Sequence, residues 1–484
     1  MGGLDDYLIA VAREMVERGV PVTHFLDRFQ RSASQVGILA RVTSIDASQF
    51  MRPKEIIKLN EGREPALDSA LINQFARPEL VWLSVTDRYT QVLNVADRRK
   101  LFRELLEYFY RWLPENSIRT IVFPNVPHAG WNNVLYFVAK YLGITTIILE
   151  ATRIPDRVVL WEDYEHVDKV PSDFLDGVEV NVIRRQIDPG LLGEFATDSL
   201  GMELSDEINR DALQLSRPVG EIIALIQGLA RELTRRDRPR DLVFDEPWGW
   251  WDAHWRRYHL RRCARRRRLV YENLANRSVP SNPYVLFFLN YQPEKTTTPM
   301  GGVFDDQLLA VRLLSKGLPD GWKVLVKEHP RQFGAHVDAA PYRSVEFYRE
   351  LAKIPKVQLV PALSKTSTLL DRCIATATIT GSIGWQGLLA GKPTINFGRS
   401  WYAACASCYM VSSIPEIQVA LADMDRKDVA TVELDVLKFL AYLQSEFIIG
   451  SNATRYARLS GRPFEELVDG LSEALAQRIL QGSL

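Results

Sequence analysis

The chain predicts an α/β fold: two Rossmann-like domains facing a cleft, with a helical insertion between them. Three observations point there. At 484 residues the chain suits two sizeable cores. The stretch 284–397 alternates short apolar runs with amphipathic segments, the order of a doubly wound parallel sheet. A second strand–helix–strand pattern stands at 119–149, so the first half carries parallel strands of its own. The expected units are 1–203, a first Rossmann-like domain; 204–276, a helical insertion; and 277–484, a second Rossmann-like domain with C-terminal helices.

In the first half, 5–18 has helical periodicity and 36–42 reads as a strand. A strong amphipathic helix covers 96–113. Strand 119–123, helix 131–142 and strand 144–149 form the βαβ unit, and 158–161 adds a further strand. The region 206–276 reads as helical. Its end places Trp248, Trp250, Trp251 and Trp255 before eight arginines, among them Arg265, Arg266, Arg267 and Arg268. An aromatic-then-basic helix suits an anionic membrane surface or an acidic glycan. A solvated helix with acid-paired arginines is the plain alternative.

The second half reads in order as strand 284–289, helix 305–315, strand 322–326, helix 345–352 and strand 357–360. Helix 364–372, strand 374–379, helix 384–390 and strand 394–397 follow, and 463–480 is an amphipathic end. In such sheets ligands sit beyond the strand carboxyl ends. Four polar or glycine-rich loops fall at that edge: 290–302, 327–333, 380–384 and 398–402.

Composition narrows the classes. The 60 basic and 60 acidic residues cancel, so the chain lacks a nucleic-acid signature. Four cysteines are too few for a disulfide scaffold and suit a reducing compartment. Cys405-Ala406-Ser407-Cys408 lacks a second ligand pair, so no metal is expected there. No basic-then-apolar leader opens the chain, and no apolar run is long enough to span a bilayer. A cytoplasmic protein is expected, peripheral on the membrane if the arginine helix docks there.

The chemistry concentrates in two loops. Lys327-Glu328-His329-Pro330 delivers an imidazole and a lysine to a strand end. Thr380-Gly381-Ser382-Ile383-Gly384 opens a helix whose N–H groups suit an anion, and the turn Gly391-Lys392-Pro393 closes it. Loop capping by His329 and turn satisfaction by Thr380 and Ser382 are the ordinary alternatives.

These motifs carry a resemblance. K-E-H-P at 327–330, T-G-S-I-G-W-Q-G-L-L-A-G-K-P at 380–393 and F-G-R-S-W-Y at 397–402 resemble bacterial capsule and surface-polysaccharide biosynthesis proteins, including Kdo-transferase-like members of GT-B architecture. P-N-V-P-H-A-G-W at 124–131 and I-L-E-A-T-R-I-P-D-R at 148–157 look like the same class. The resemblance implies a metal-independent glycosyltransferase with a nucleotide-sugar donor, such as CMP-Kdo, UDP- or GDP-sugar, and a glycan or lipid-linked acceptor. It implies no resident cofactor. His329 and the loop of Thr380, Gly381, Ser382 and Gly384 would hold the donor phosphate, with Lys327 as a second cation. Gln292 and Lys295 would line the donor sugar, and Arg399 and Tyr402 would contact donor or acceptor. Related proteins often carry Glu where Gln386 stands and use it on the donor ribose, a contact an amide can also make. His128 and Glu150, at the ends of adjacent first-half strands, are the candidate catalytic bases. A sugar-nucleotide epimerase of the same fold and a non-catalytic membrane-docking protein are the competing classes.

Overall fold

The computed structural model describes residues 6–27, 42–63, 67–87, 94–128, 130–152, 156–166, 169–187, 250–334 and 342–481. In the first half, β1 (His24–Asp27) and β2 (Thr43–Asp46) pair in parallel as a separate ribbon. The expected strand 36–42 lies outside the described residues except for Val42, as do Trp248 and the stretch 206–249. β3 (Thr120–Phe123), the helix Trp131–Tyr141 and β4 (Thr145–Ala151) form the expected parallel βαβ unit. β5 (Arg157–Trp161) turns back antiparallel to β4. The helix Val95–Glu115 buries its Leu101, Phe102, Leu105, Phe109 and Leu113 stripe against this unit.

The second half is a sheet of six parallel strands. They are β6 (Tyr284–Phe288), β7 (Lys323–Lys327), β8 (Val357–Leu359), β9 (Ala375–Thr378), β10 (Thr394–Asn396) and β11 (Cys408–Met410). The order is β11-β10-β9-β6-β7-β8, so the topology reverses between β6 and β9, where ligands of doubly wound sheets bind. β6 is Tyr-Val-Leu-Phe-Phe and nearly all buried, as a strand covered on both faces requires. β11 and the helices Ile414–Met424 and Val429–Glu446 complete the half.

The chain then crosses back. β12 (Ile448–Ile449) pairs antiparallel with β5, and the helix Phe464–Gln481 packs on the first helix, Asp6–Glu17. Their shared core holds Tyr7 and Val11, Ile147 and Leu149 of β4, and Leu467, Leu471 and Leu475. The last segment of the expected 277–484 unit therefore packs with the first half. Long-range packing, invisible to local periodicity, decides this.

The helix Trp250–Leu274 lies on the second half beside the helix Val345–Lys353. Tyr271 is fully buried and donates its hydroxyl to Val360 O at 2.6 Å. The four arginines do not share a solvent face: Arg266 is exposed, Arg265 and Arg268 are half-buried, and Arg267 is 5% exposed. Helical geometry alone turns one of four consecutive residues inward. Among the described residues no helix is long and apolar enough to cross a membrane.

Candidate functional site

A cavity of about 580 Å³ opens where the two halves meet. Its second-half wall is the reversal point of the large sheet: Asn290 and Tyr291 after β6, His329 after β7, Thr378 at the end of β9 and Thr380, Gly381, Ser382 and Ile383 beyond it. Asn290 ties two of these loops together. Its Oδ1 accepts from Thr378 Oγ1 at 2.8 Å and from the Ile379 N–H at 3.3 Å. Beneath the β7 loop lies a buried pair, with Arg343 Nε 2.9 Å from Glu328 Oε2. The other Glu328 oxygen accepts the His329 N–H at 2.8 Å.

His329 presents a defined face. Its Nδ1 accepts the Arg331 N–H at 3.2 Å, so in the neutral ring the proton sits on Nε2. Burial, then the nearby charges of Arg331, Lys327 and Arg343, lower its pKa from 6.5 to about 4. The ring is thus a neutral donor at physiological pH, not the cation that protonation would make.

The helix Ser382–Leu389 starts at the cavity, and Ser382 and Ile383 in its first turn line it. First-turn N–H groups lack intrahelical partners and suit an anion. Gly381 allows the close approach: a Cβ there would meet Thr378 Oγ1 at 2.6 Å. The far end closes in a Schellman turn, with Lys392 N bonded to Gly387 O at 2.8 Å and Gly391 N to Leu388 O at 3.0 Å. Gly391 has φ +70°, which is why glycine stands there.

Thr380 also lines the cavity, its hydroxyl donating to Thr296 O at 2.5 Å. Other expected donor residues do not line it. Lys327 is buried and turns to Thr366 Oγ1, 3.0 Å away, because an ammonium on a covered strand needs an internal partner. Gln292 is absorbed in a buried network with Asp305 O, Gln307 and Arg343. Gly384 packs the helix onto its sheet, where a Cβ would meet the Tyr402 hydroxyl and Thr394. Tyr402 is buried behind the loop and donates to Gly381 O, so it holds the 380–384 loop from the rear. Gln386 is buried on the same helix, away from the cavity lining. Arg399 reaches the first half, donating to Asp163 O with its guanidinium 3.9 Å from the Trp161 ring centre.

The first-half wall is Ala151 and Thr152 after Glu150 on β4, Arg157 and Val158 of β5, and Gly450, Ser451, Asn452 and Tyr456 of the returning chain. Glu150, just before this wall, is buried and 2.6 Å from Lys295 Nζ of the other half. Lys295, expected against the donor sugar, is spent on this bridge. Burial raises the Glu150 carboxyl pKa, against the opposing pull of Lys295 and Arg399. His128 does not line the cavity; it is half-buried, its Nδ1 donating to Val126 O at 2.7 Å. Sequence reasoning marks the loop 290–302 and the motif 148–157 but gives Asn290 and Arg157 no role of their own, and it does not mark the 450–456 segment. Asn290 has a signal, a polar residue directly after a buried strand. The turn has none, since nothing local shows that it returns to the first half. Among the described residues, no three His, Cys, Asp or Glu side chains gather as metal ligands. Cys405 and Cys408 are buried, and burial raises both thiol pKa values, that of Cys408 to about 12.

The model of one family, described as capsule polysaccharide biosynthesis protein, matches residues 299–406. Over this segment, less than a quarter of its length, the chain is similar to that family. The family segment contains K-E-H-P, the 380–393 motif and F-G-R-S-W-Y, while the motifs at 124–131 and 148–157 fall outside it. No curated protein matches the chain in sequence. Among solved structures, the chain is similar to Thermosulfurimonas dismutans KpsC, beta Kdo 2,7 transferase, at 15% identity and a TM-score of 0.25, over 44% of this chain and 61% of that one. The beta Kdo 2,4 transferase structure of the same KpsC gives 18%, 0.24, 44% and 63%. The alignment thus spans less than two thirds of either KpsC chain. UDP-GlcNAc 2-epimerase from Methanocaldococcus jannaschii gives 11% and 0.24, over 71% and 82%. Superpositions this weak carry no argument; the α/β assignment rests on the strand order and register above.

Proposed function

We propose that the protein is a glycosyltransferase that moves a sugar from a nucleotide-sugar donor to a surface-polysaccharide or lipid-linked acceptor. One observation carries the reading: His329 and the N-terminus of the helix Ser382–Leu389 line one cavity whose opposite wall comes from the other half. Its volume is in the range of small-molecule sites. The leaving nucleotide develops negative charge on its phosphate, and fixed N–H dipoles stabilise such charge without a metal ion. The match to the capsule family over 299–406 supports the same chemistry class.

Glu150 is the better placed of the two candidate bases, because the residues that follow it line the cavity and burial raises its carboxyl pKa, the direction a general base needs. The resemblance to Kdo-transferase-like proteins makes CMP-Kdo the first donor to test, before UDP- and GDP-sugars. Docking on an anionic membrane through Arg266 and Arg268 would bring the cavity near a lipid-linked acceptor. A thermal-shift screen against CMP, UDP, GDP and their sugars tests the reading, since a ligand of the native state raises Tm. One nucleotide series should stabilise the protein, and its sugar should pass to an acceptor or to water. No stabilisation by any of them sinks the reading. Isomerisation of the donor sugar without transfer would favour an epimerase.

A further inference from the structure

We propose that Glu294 is the catalytic base: its carboxylate takes the proton of the acceptor hydroxyl as that oxygen attacks the donor sugar. The inference rests on the glycosyltransferase reading and adds a third candidate to the two that the sequence supplies.

Among the described residues that line the cavity, Glu294 carries the only acidic side chain. Glu150 is absent from that lining and is bridged to Lys295, so it meets a substrate only if the bridge opens. His128 is absent from it as well. Glu294 is exposed, and its Oε2 accepts from Thr296 Oγ1 at 3.3 Å in an exposed contact, so the carboxylate itself is within reach of a ligand. Thr296 lines the same cavity. The surrounding protein still desolvates the group. This raises its carboxyl pKa above the ordinary 4.5, against the Thr296 hydrogen bond and the charges of Arg331 and Lys295. Open to water and yet partly desolvated is the condition of a group on a concave wall.

The loop fixes this group in place. Glu294 O accepts the Thr297 and Thr298 N–H groups, each at 3.0 Å, and the Thr297 hydroxyl at 2.9 Å. The next two residues are tied to opposite sides of the cavity. Lys295 Nζ lies 2.6 Å from Glu150 of the first half. Thr296 O accepts the Thr380 hydroxyl at 2.5 Å, from the loop proposed to hold the phosphate. Glu294 therefore stands at the seam of the two halves and beside the site of the leaving group, where an acceptor meets a donor. Glu150 then acts through Lys295, as a positioning residue.

The acceptor O–H gives its proton to the Glu294 carboxylate, and its oxygen bonds to the anomeric carbon. The bond from that carbon to the phosphate oxygen breaks, and its electron pair leaves on the nucleotide. The N–H donors of His329 and of the helix Ser382–Leu389 receive that charge. Water in place of the acceptor gives donor hydrolysis by the same step. Arg157, the other charged side chain of the lining, is on the opposite wall and 2.6 Å from Asp156, while His329 is neutral.

The test measures nucleotide release by the full chain from CMP-Kdo, UDP-glucose and UDP-N-acetylglucosamine. Water, methyl α-galactoside and methyl β-glucoside serve as acceptors, and calorimetry gives the affinity for CMP and UDP. Glu294→Gln should lower release about a hundredfold or more and leave nucleotide affinity unchanged. Wild-type release should rise with pH through a pKa above 4.5, because only the ionised carboxylate accepts a proton. The residual rate of Glu294→Gln should lack that rise. Glu150→Gln should lower the rate and keep the rise. Glu294→Asp withdraws the carboxylate by about 1 Å and should also cost about a hundredfold; it decides the matter if Glu294→Gln does not fold. A wild-type rate in either Glu294 variant overturns the proposal, as does a loss of nucleotide affinity that accounts for the lost rate. So does a wild type that binds nucleotide and releases none from these donors. A wild type that binds no nucleotide strikes the functional reading itself, and the base assignment falls with it.

Discussion

The two walls of the cavity are built by different means. The second-half wall consists of loops at the ends of neighbouring parallel strands, each within a few residues of a buried apolar run. The first-half wall joins the ends of β4 and β5 to a turn from a distant part of the chain, at 450–452. Local motifs can encode the first kind of wall. The second exists only after the chain has crossed back.

The largest expected effect concerns the bridge between the walls. Lys295→Met leaves Glu150 buried beside no ammonium and should cost about 3–5 kcal/mol of stability, read from denaturant midpoints. Adding Glu150→Gln should recover much of the loss. The sign with pH follows from burial, which holds the Glu150 pKa above its ordinary 4.5. Stability from such a group is full below the unfolded value and falls as pH rises through the folded one. The Lys295→Met deficit should therefore be larger at pH 8 than at pH 5. Equal stability of mutant and wild type would mean that the bridge does not join the walls energetically.

Gly381→Val comes next. The added Cβ meets Thr378 Oγ1 and displaces the loop proposed to hold the phosphate. A displacement of about 1 Å at such a site costs about a hundredfold in function, and nucleotide affinity by calorimetry should fall accordingly. Wild-type affinity would remove the loop from the phosphate site.

His329→Ala should lose about 1.5–3 kcal/mol, one to two decades of nucleotide affinity, if Nε2–H donates to a phosphate. An unaltered constant in a folded mutant rules that contact out.

The smallest effect is a null change with pH. Because His329 is neutral down to about pH 4, nucleotide affinity should show no imidazole titration near pH 6.5 once the phosphate's own ionisation is accounted for. Its depressed pKa also means that its contribution to stability is complete above 6.5 and is lost as pH falls toward 4. Affinity that rises with imidazole protonation near pH 6.5 would show a cationic histidine instead.

Legibility in the sequence follows the same divide. Five of the six strands of the large sheet fall within a residue or two of their expected bounds, because each is a short apolar run between turn residues; the three-residue edge strand β11 was not expected. His329, Thr380, Gly381 and Ser382 all reach the cavity, since strand ends and a helix start place them there. Lys327 and Gln292 look like binding groups in the sequence because a polar residue near a motif looks available. The fold gives them internal partners, Thr366 for one and Arg343 with Gln307 for the other. Arg267 illustrates the same limit: its charge is plain in the sequence, its inward direction is not.

Local sequence was enough for the α/β class, the parallel order of the second half and the glycine loop that opens a helix after β9. Periodicity, turn chemistry and the glycine-opened helix are short-range properties, so they survive without knowledge of the whole. Long-range packing settled which polar side chains stay open to a ligand, which are spent on internal pairs, and that Asn452 joins the cavity. Those outcomes depend on what lies opposite each group, and burial forces every polar atom either to find a partner there or to wait for one.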